Sequence, residues 1–403
     1  MRRTEYGEAV RILLKYADHV GKEKVSPEDL YGRVLAEDIV SDQNVPNFAR
    51  SPYDGYAFRA EDTAGADEKN KVTLKVIENI RAGQVAQKQV ESGTAVRLMT
   101  GAPIPEGADA VCKYEDTDFT DESVDIKQQY FAGDNIIKAG EDIANGALLA
   151  KKGTPADPAV SGIAASLGMT EIPVYKRPVA ALLSTGDEVV DINEPLQPGK
   201  IRNSNRYTIS GALRRIGFDA VSAGHAQDDV EDLYNKILTA ELISDIIIST
   251  GGVSAGDFDL VPKAMEEAGY EIIVNGIAMK PGMACAYGVK HGRLMLALSG
   301  NPASALTNLQ CICYPALRKL AGLDDHDHKM IRMMLKKDIK KTGKGMRFIR
   351  GVFSIEEGMA VFEPRREQGN IVISSAALCN AYACIPEGTA PLKTGETVEG
   401  FLI

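Results

Sequence analysis

Between Pro178 and about residue 320, short apolar segments alternate with segments of helical periodicity, and this alternation restricts the fold more than any other feature. The apolar runs occupy 179–183, 220–223, 245–249 and 294–298, and the helical patterns occupy 205–216, 228–242, 257–268 and 302–320. Strands that alternate with helices along a chain form parallel sheets with helices on both faces. The sequence therefore predicts a doubly wound α/β domain over residues 178–322.

Three of the predicted strands end in polar loops that contain glycine, at 184–188, 249–259 and 299–302. Ligands bind parallel α/β sheets at the carboxyl ends of the strands, where glycine lets backbone N–H groups approach an anion. Mg²⁺ prefers one or two carboxylates together with substrate phosphate. The loop residues that we expect to supply oxygen ligands to Mg²⁺ are Asp187, Glu188, Asp257 and Asp259. The loops thus predict a phosphate-and-metal pocket.

A purely structural interpretation of the same loops is also open. Each glycine then serves a tight turn, and Asp228 and Asp257 cap the helices that follow them. One loop alone favours this interpretation, whereas three such loops at one sheet edge favour a ligand site.

Several charged or polar residues outside these loops are further candidates for ligand contact. Lys280, in a Lys-Pro-Gly turn, is either a localised cation suited to phosphate or another oxyanion or an ordinary solvated lysine. Arg347 and Arg350 alternate with apolar residues along a predicted strand, either as an anion clamp or as an exposed strand face. Asp54 and Thr100 lie in a turn-rich block, where Asp-Gly is by itself a common turn signal.

The remaining chain predicts three further domains around this one. Residues 4–40 show two helical segments, the second opened by Pro27. After residue 323, short strands and glycine turns predict a small C-terminal β-barrel. The predicted domains are 1–45 with 140–177 (helical and mixed, I), 46–139 (inserted and turn-rich, II), 178–322 (α/β, III) and 323–403 (β-barrel, IV).

Charge and missing motifs exclude several classes of function. The net charge of −10 disfavours a broad electrostatic grip on nucleic acid or an anionic membrane. No apolar run approaches the roughly 18 residues that span a bilayer, and the first residues lack a signal-peptide core, so we expect a cytoplasmic protein. No P-loop, dinucleotide fingerprint or nucleophile elbow is present. What remains is metal-assisted chemistry on a phosphorylated small molecule.

Seven motifs, in order along nearly the whole chain, resemble those of the MoeA family, which includes the gephyrin E-domain. They are Val45-Pro46 through Ser51-x-x-Asp54-Gly55-Tyr56-Ala57, Thr100-Gly101-Ala102-Pro103-x-Pro105-x-Gly107-Ala108-Asp109, Gly140-Glu141-Asp142, Ser184-Thr185-Gly186-Asp187-Glu188, Gly251-Gly252-Val253-Ser254-x-Gly256, Lys280-Pro281-Gly282 and Gly300-Asn301-Pro302. Each motif is weak alone, whereas seven in sequence with matching spacing are specific.

The resemblance implies an elongated four-domain subunit and a homodimer whose active site draws on both subunits. It implies Mg²⁺ as cofactor, adenylylated molybdopterin and molybdate as substrates, and cleavage of the pterin–AMP phosphoanhydride as molybdenum is inserted. Further implied partners are the upstream adenylyltransferase and apo-molybdoenzymes. The implied catalytic residues are Asp54, Thr100, Glu188, Asp228 and Lys280. The implied pterin, phosphate and oxyanion contacts are Ser249, Thr250, Gly251, Gly252, Ser254, Gly256, Ser299, Gly300, Asn301, Arg350 and Ser375.

The chain departs from the family pattern at the oxyanion side of the implied site. Where the family reads Lys-Pro-Gly-Lys-Pro, this chain has Met283-Ala284, and the missing second lysine is expected to contact molybdate. A lost charge-assisted contact is worth about 1.5–3 kcal/mol. Three interpretations follow: a molybdopterin molybdenumtransferase or divergent paralog, a non-catalytic molybdopterin-binding carrier or scaffold, and an unrelated nucleotide-processing enzyme.

Overall fold

The computed structural model describes residues 3–253, 260–340, 345–389 and 391–403, and the chain forms two units. The first contains Met1–Glu37, Lys152–Pro158 and Glu171–Ile403, and the second contains Asp38–Lys151 and Ala159–Thr170. A long second unit therefore interrupts the first, while the finer division into four domains stays a prediction. In the described part of the chain, no helix is both long enough and apolar enough to cross a bilayer.

The first unit begins with helix α1 (Tyr6–Tyr16) and strand β1 (Lys22–Val25). Helix α1 confirms the first predicted helical segment, because Ala9 and Leu13 are buried one turn apart on the same face. The second predicted helix is wrong, since Pro27–Asp29 forms only a single 3₁₀ turn.

The backbone after this turn finds its partners across the unit rather than along the chain, which explains the missing helix. Gly32 adopts a left-handed conformation with φ +72°, which ends any helical course. Val34 and Leu35 then form single antiparallel bridges with Pro155 and Val174. Partners so distant in sequence leave no local signal for a pattern-based prediction.

The second unit is built on a six-stranded sheet. Its elements are β2 (Ile39–Val40), β3 (Gly55–Phe58), β4 (Val72–Ile80), β5 (Thr94–Leu98), β6 (Ala110–Lys113), β7 (Thr117–Phe119), β8 (Ser123–Ile126), β9 (Leu148–Ala150) and α2 (Pro158–Ser166). The sheet order is β6-β3-β5-β4-β8-β7, and β2 pairs separately with β9. Strands β3 and β5 are antiparallel with Gly55 opposite Leu98. The residues just before β3 and just after β5 therefore lie side by side.

The chain then returns to the first unit and forms the α/β domain. Its strands are β10 (Ile172–Tyr175), β11 (Val179–Thr185), β12 (Val189–Val190), β13 (Ile201–Arg202), β14 (Asp219–Ala226), β15 (Ile246–Thr250), β16 (Glu271–Asn275), β17 (Met279–Lys280), β18 (Cys285–Lys290) and β19 (Arg293–Leu298). Its helices are α3 (Ser204–Arg214), α4 (Val230–Ile243), α5 (Leu260–Glu267), α6 (Pro302–Asn308) and α7 (Tyr314–Leu320), with a π-helical turn at Leu309–Cys313 between the last two.

The main sheet of this domain has the order β14-β11-β15-β19-β18-β16. The first four strands are parallel, and β18 runs antiparallel to both of its neighbours. One core cluster contains residues of α1, α3, α6 and α7, and another contains residues of α4 and α5. Helices therefore cover both faces, and the predicted doubly wound α/β fold is confirmed.

Strand β15 explains why the sequence signal was so clear. Ile246, Ile247 and Ile248 are all buried because the sheet is covered on both faces, so the strand is continuously apolar instead of alternating. Burial of each such side chain contributes about 1.5–3 kcal/mol. The strand delivers its last residue, Thr250, to the carboxyl edge of the sheet.

The C-terminal part is a closed five-stranded barrel, as predicted. Its strands are β20 (Ile331–Leu335), β21 (Met346–Glu356), β22 (Met359–Pro364), β23 (Ala381–Ile385) and β24 (Thr397–Leu402). Pairing follows β21-β22-β20-β24-β23 and closes from β23 back to β21, and β17 adds to β21 from the α/β domain. Glycine is required where strands approach closely, since a Cβ on Gly400 would lie 2.0 Å from the carbonyl oxygen of Tyr382.

Candidate functional site

A cavity of about 500 Å³ opens at the carboxyl edge of the α/β sheet. Its walls come from 184–186 with Glu188 and Val189, from 201–205, from Asp228, from 250–253, from 299–302 and from Ile371. Three of these walls are the loops predicted from the sequence to share one crevice. The remaining walls are β13 with the start of α3, Asp228 just before α4, and Ile371 in the segment between β22 and β23.

The glycines after β15 are required by geometry. Gly251 has φ +104°, and a Cβ there would lie 2.4 Å from Thr185 Oγ1 and 2.8 Å from the Thr185 carbonyl oxygen. Gly252 has φ +62°, and its Cβ would lie 2.7 Å from a methyl group of Val261. Gly300 is different, because its Cβ would make only ordinary contact, 3.5 Å from Gly251 Cα. The turn at Gly251 thus brings the backbone of β15 directly against the end of β11.

The predicted loop continues beyond this turn into Ser254, Gly256, Asp257 and Asp259, which lie outside the described residues. Thr250, Gly251, Gly252, Ser299, Gly300 and Asn301 line the cavity, as do Glu188 and Asp228. Ser249 does not line it: its side chain is fully buried in the sheet.

Two acidic loops interlock at one end of the cavity. The backbone N–H of Asp228 donates to Asp187 Oδ1 at 3.2 Å, and the backbone N–H of Asp187 donates to Asp228 Oδ2 at 3.4 Å. The helix-cap interpretation of Asp228 is wrong, because Asp229 is the residue that caps α4. Asp187 and Asp228 each keep a second carboxylate oxygen outside this pair.

Glu188 lies in the same acidic region. Gly186 has φ +114°, and a Cβ on it would lie 2.6 Å from Glu188 Oε2, so the Glu188 carboxylate folds back over this turn. Among the residues that the structure describes, no group of three or more His, Cys, Asp or Glu side chains is arranged to hold a metal ion. Two of these carboxylates together with a ligand phosphate satisfy the preference of Mg²⁺, which needs no third protein carboxylate.

Two asparagines at the start of α3 also shape the cavity, and the sequence analysis missed them. Asn203 caps α3 through Arg206 N–H and donates from Nδ2 to Ser184 Oγ at 2.8 Å. Asn205 donates from Nδ2 to the Gly300 carbonyl oxygen at 2.8 Å. Its Oδ1 is buried and has no hydrogen-bond partner among the described residues. The available signal was an Asn-Ser-Asn helix start that directly follows the short strand β13.

The unpaired amide oxygen of Asn205 is available to accept a hydrogen bond from a ligand in the cavity. A buried acceptor without a partner costs about 1–3 kcal/mol, and a bound N–H donor removes that cost. The cavity therefore offers a polar acceptor at the α3 side and carboxylates at the other loops. This combination suits a heterocycle with N–H groups that is linked to a metal-bound phosphate.

Arg350 and Ser375 are brought together beside this cavity without lining it. The Arg350 side chain is 1% exposed, and its Nη2 donates to Ser375 Oγ at 3.0 Å and to the Gly369 carbonyl oxygen at 3.2 Å. Burial lowers the pKa of the Arg350 guanidinium. Its Nε has no partner, and no carboxylate forms an ion pair with it in the described part of the chain. A buried cation that contacts only neutral groups is prepared for an anion.

Lys280 lies where the short strand β17 pairs with the barrel strand β21. It is exposed at the end of β17, in register with Arg347 of β21, and does not line the cavity. The following turn packs on α6, since Asn308 Nδ2 donates to the Gly282 carbonyl oxygen at 2.8 Å. Met283 is half-buried, and its carbonyl oxygen accepts from Ile277 N–H at 3.0 Å.

In the second unit, Asp54 and Thr100 form a pair of their own. The backbone N–H and the Oγ1 hydroxyl of Thr100 both donate to Asp54 Oδ1 at 2.7 Å. Both hydrogen bonds lower the pKa of Asp54, and the bond from the Thr100 backbone has the larger effect. Asp54 therefore stays ionised at neutral pH, where it can act as a charge or a base but not as an acid.

Three family models match the chain consecutively: the MoeA N-terminal region (domain I and II) over 4–168, a probable molybdopterin binding domain over 181–319, and the MoeA C-terminal region (domain IV) over 332–403. A molybdopterin molybdenumtransferase of Bacillus subtilis (strain 168) is 37% identical over 401 residues, which cover 98% of this chain and 93% of the relative. A protein of the same name from Staphylococcus aureus (strain MRSA252) is 33% identical, covering 97% of this chain and 94% of the relative.

Solved structures agree with these sequence matches. A molybdopterin biosynthesis MoeA protein from Pyrococcus horikoshii superposes with a TM-score of 0.88 at 31% identity and covers 100% of this chain and 99% of that one. A second structure of the MoeA protein from this organism gives a TM-score of 0.85 at 30% identity, covering 100% of both chains. Sequence identity, coverage and fold confirm the resemblance found in the seven motifs. The chain belongs to the MoeA family of molybdopterin molybdenumtransferases.

Proposed function

We propose that this chain cleaves adenylylated molybdopterin and inserts molybdenum from molybdate into the pterin during molybdenum-cofactor biosynthesis. The observation that carries the proposal is the cavity at the sheet edge, where the Gly251-Gly252 turn, the Asn205 acceptor that has no partner among the described residues, and the carboxylates of Glu188 and Asp228 meet. Asp187 does not line the cavity but pairs with Asp228. The names of the relatives give the reaction class, and this cavity supplies a matching set of chemical groups.

The pterin and its phosphate would bind in the cavity formed by the loops at the strand ends. Gly251, Gly252 and Gly300 leave room for the backbone to approach phosphate oxygens, and the loop continues through Ser254 and Gly256. The Oδ1 atom of Asn205 would accept a hydrogen bond from a pterin N–H group. Thr250, Ser299 and Asn301 add polar atoms to the same wall.

Mg²⁺ would be held by Glu188, Asp228 and Asp187 together with substrate phosphate, and Asp257 and Asp259 are further candidate ligands. The fit rests on the interlocked carboxylates, each of which keeps an oxygen outside the pair. When bound, Mg²⁺ polarises the phosphoanhydride and offsets the charge of the leaving phosphate. Among the described residues, Arg202 is the one cation in the cavity wall, and its guanidinium already donates to the carbonyl oxygens of Ile192 and Glu194. The protein therefore needs a metal cation to hold a polyanion beside its own carboxylates.

Arg350 and Ser375 would bind molybdate, with Lys280 as a second cation. A molybdate dianion would pair with the buried guanidinium of Arg350 and accept a hydrogen bond from its free Nε. Because Met283 replaces a lysine of the family pattern, this part of the site has one cation fewer, and Arg350 would be the main oxyanion-binding residue.

The Asp54–Thr100 pair would complete the site from a second copy of the chain in a homodimer. Because Asp54 stays ionised at neutral pH, it would orient the attacking group or accept its proton. The proposed setting is cytoplasmic, with the upstream adenylyltransferase supplying the substrate and apo-molybdoenzymes receiving the product.

A second candidate function is a non-catalytic molybdopterin carrier or scaffold, and the specific observation that favours it is Met283 in place of lysine. Both functions need the pterin cavity, but only the first needs a productive oxyanion site. The two differ in turnover and not in pterin binding.

The test incubates the purified protein with adenylylated molybdopterin, Mg²⁺ and molybdate and measures AMP release and molybdenum content. If the chain is a transferase, we expect the native chain to release AMP and the Asp228→Asn variant to release little. It also expects Met283→Lys to bind molybdate roughly tenfold or more tightly, since a regained charge-assisted contact contributes about 1.5–3 kcal/mol. Stoichiometric pterin binding without AMP release, in the native chain and in Met283→Lys alike, would establish the carrier instead.

A further inference from the structure

A second cleft lies in the C-terminal barrel, where β20 and β22 end and β21 begins, and its volume is about 750 Å³. The basic residues that line it are Lys337, Lys340, Arg347, Arg365 and Arg366. Ile349 and Pro364 form part of its apolar lining. We call this site the basic cleft.

Most of the positive charge in the basic cleft is not paired with a carboxylate of the described residues. Lys337 pairs with Glu363, and Asp338 is already engaged by Thr394 and Lys393. Among the described residues, no carboxylate lies within ion-pairing distance of the four remaining cations. These four are Lys340, Arg347, Arg365 and Arg366. Only Glu367 remains as an opposing charge in the lining.

Two of the guanidinium groups also have unused donors. The Nε atoms of Arg347 and Arg365 are buried, and neither has a hydrogen-bond partner in the part of the chain that the structure describes. Protein interiors rarely leave a buried donor unpaired, and such groups often indicate a missing ligand. Charge excess and unpaired donors are independent observations, and both point to a bound anion.

The basic cleft is close to Arg350 but has its own side chains. One loop separates the two: Gln368 accepts from the Arg350 backbone N–H at 3.1 Å and donates to its carbonyl oxygen at 2.9 Å, and the Gly369 carbonyl oxygen accepts from Arg350 Nη2. Gln368 and Gly369 also line the basic cleft. Along β21, Arg347 and Ile349 face the basic cleft, whereas Phe348 between them packs in the core beneath α6 and α7.

We propose that the basic cleft is a second anion site, which binds a tetrahedral dianionic oxyanion independently of Arg350 and Ser375. Guanidinium groups present paired N–H donors that match such an oxyanion. A chain of net charge −10 repels dianions at long range, so a local excess of cations is needed to concentrate them. The oxyanion is either free, as molybdate, or the phosphate of an organic molecule that also contacts Ile349 and Pro364. A role in supplying oxyanion to Arg350 rests on the proposed function, whereas binding itself does not.

The test measures binding of molybdate and of AMP to the full chain by titration calorimetry at 0.15 M salt. We expect two molybdate equivalents for the native chain and one for Arg365→Gln/Arg366→Gln, or binding at the second site weakened roughly tenfold or more. Lys340→Gln is a single substitution at an exposed position of the same cleft, and it tests the second site independently of the arginine double variant. The matched control is Arg332→Gln, an exposed barrel arginine outside the cleft that pairs with Glu399.

The outcomes separate this inference from the proposed function. If Arg350→Gln still binds one equivalent of molybdate, the basic cleft is a site separate from Arg350. AMP binding that depends on Arg365 and Arg366 would identify an organic phosphate as the ligand of the basic cleft. A single equivalent of molybdate, with no AMP binding, in native chain and cleft variants alike would overturn the inference. Equal weakening by Arg332→Gln would also overturn it. AMP release with only one bound molybdate supports the transferase function but not the second anion site. Two bound molybdates without AMP release support the second anion site but not the transferase function.

Discussion

Substitution of Gly251 by alanine should destabilise the α/β domain far more than the same change at Gly300, although both glycines line one cavity. Gly251 has φ +104°, which an L-residue adopts at a cost of about 1–3 kcal/mol. Its new Cβ would also lie 2.8 Å from the carbonyl oxygen of Thr185, in the backbone of β11, so relief requires movement of a buried strand. Overpacking of this kind adds about 1–3 kcal/mol. We therefore expect a loss of about 2–6 kcal/mol in the free energy of unfolding.

Two sister variants make the comparison specific. At Gly252 the φ of +62° is also left-handed, but the obstructing atom is a methyl group of Val261, so we expect about 1–2 kcal/mol. At Gly300 the nearest atom is at 3.5 Å and the backbone is not left-handed. Alanine there should be neutral or stabilise by about 0.4–1 kcal/mol, because it restricts the unfolded chain.

Urea unfolding followed by far-ultraviolet circular dichroism gives the midpoint and slope for each variant. The expected order of midpoints is Gly300→Ala highest, Gly252→Ala intermediate and Gly251→Ala lowest, with similar slopes. If Gly251→Ala and Gly300→Ala unfold at the same urea concentration, the close approach of β15 to β11 is not a determinant of stability, and the reasoning fails.

Three further predictions concern the polar groups. Thr100→Val removes the hydroxyl donor to Asp54, so the pKa of Asp54 should rise toward its ordinary value. Because the pKa of Asp54 is depressed in the folded protein, the stabilisation from the Thr100 bonds is present at neutral pH and is lost as acid protonates Asp54. Carboxyl NMR titration of Thr100→Val, with Thr63→Val as control, measures the change in pKa. Asn205→Ala should weaken pterin binding roughly tenfold, measured by fluorescence titration, and unchanged affinity would rule out Oδ1 as a pterin acceptor. Asp228→Asn should raise the Mg²⁺ concentration for half-maximal AMP release; an unchanged Mg²⁺ dependence would contradict its place as a ligand.

Strands buried on both faces were predictable because their signal is local. The apolar runs at 179–183, 245–249 and 294–298 correspond to β11, β15 and β19, which form the centre of the sheet. Each run ends where polar residues begin, so the positions of the three loops could also be derived from the sequence. The antiparallel strand β18 escaped prediction, because it mixes small, aromatic and charged residues without a clear period.

Errors and omissions arose where the deciding partner is distant in sequence. The predicted helix after Pro27 is absent because Val34 and Leu35 pair with residues more than a hundred positions away. Asn205 was missed because its role depends on Gly300, which the fold brings within hydrogen-bonding distance of its side chain. Asp228 was interpreted as a possible helix cap, but the neighbouring Asp229 caps α4 and leaves Asp228 free to pair with Asp187.

The sequence by itself determined the family, the α/β alternation, the barrel and the glycine-rich loops, because these depend on periodicity and on residue types at fixed spacing. Only the tertiary structure decided which polar atoms lack a hydrogen-bond partner among the described residues, including Oδ1 of Asn205 and the Nε atoms of Arg350, Arg347 and Arg365. Whether a buried donor or acceptor is satisfied depends on every element packed around it. Those unsatisfied atoms, together with the motifs, are the basis for the ligand sites that we propose.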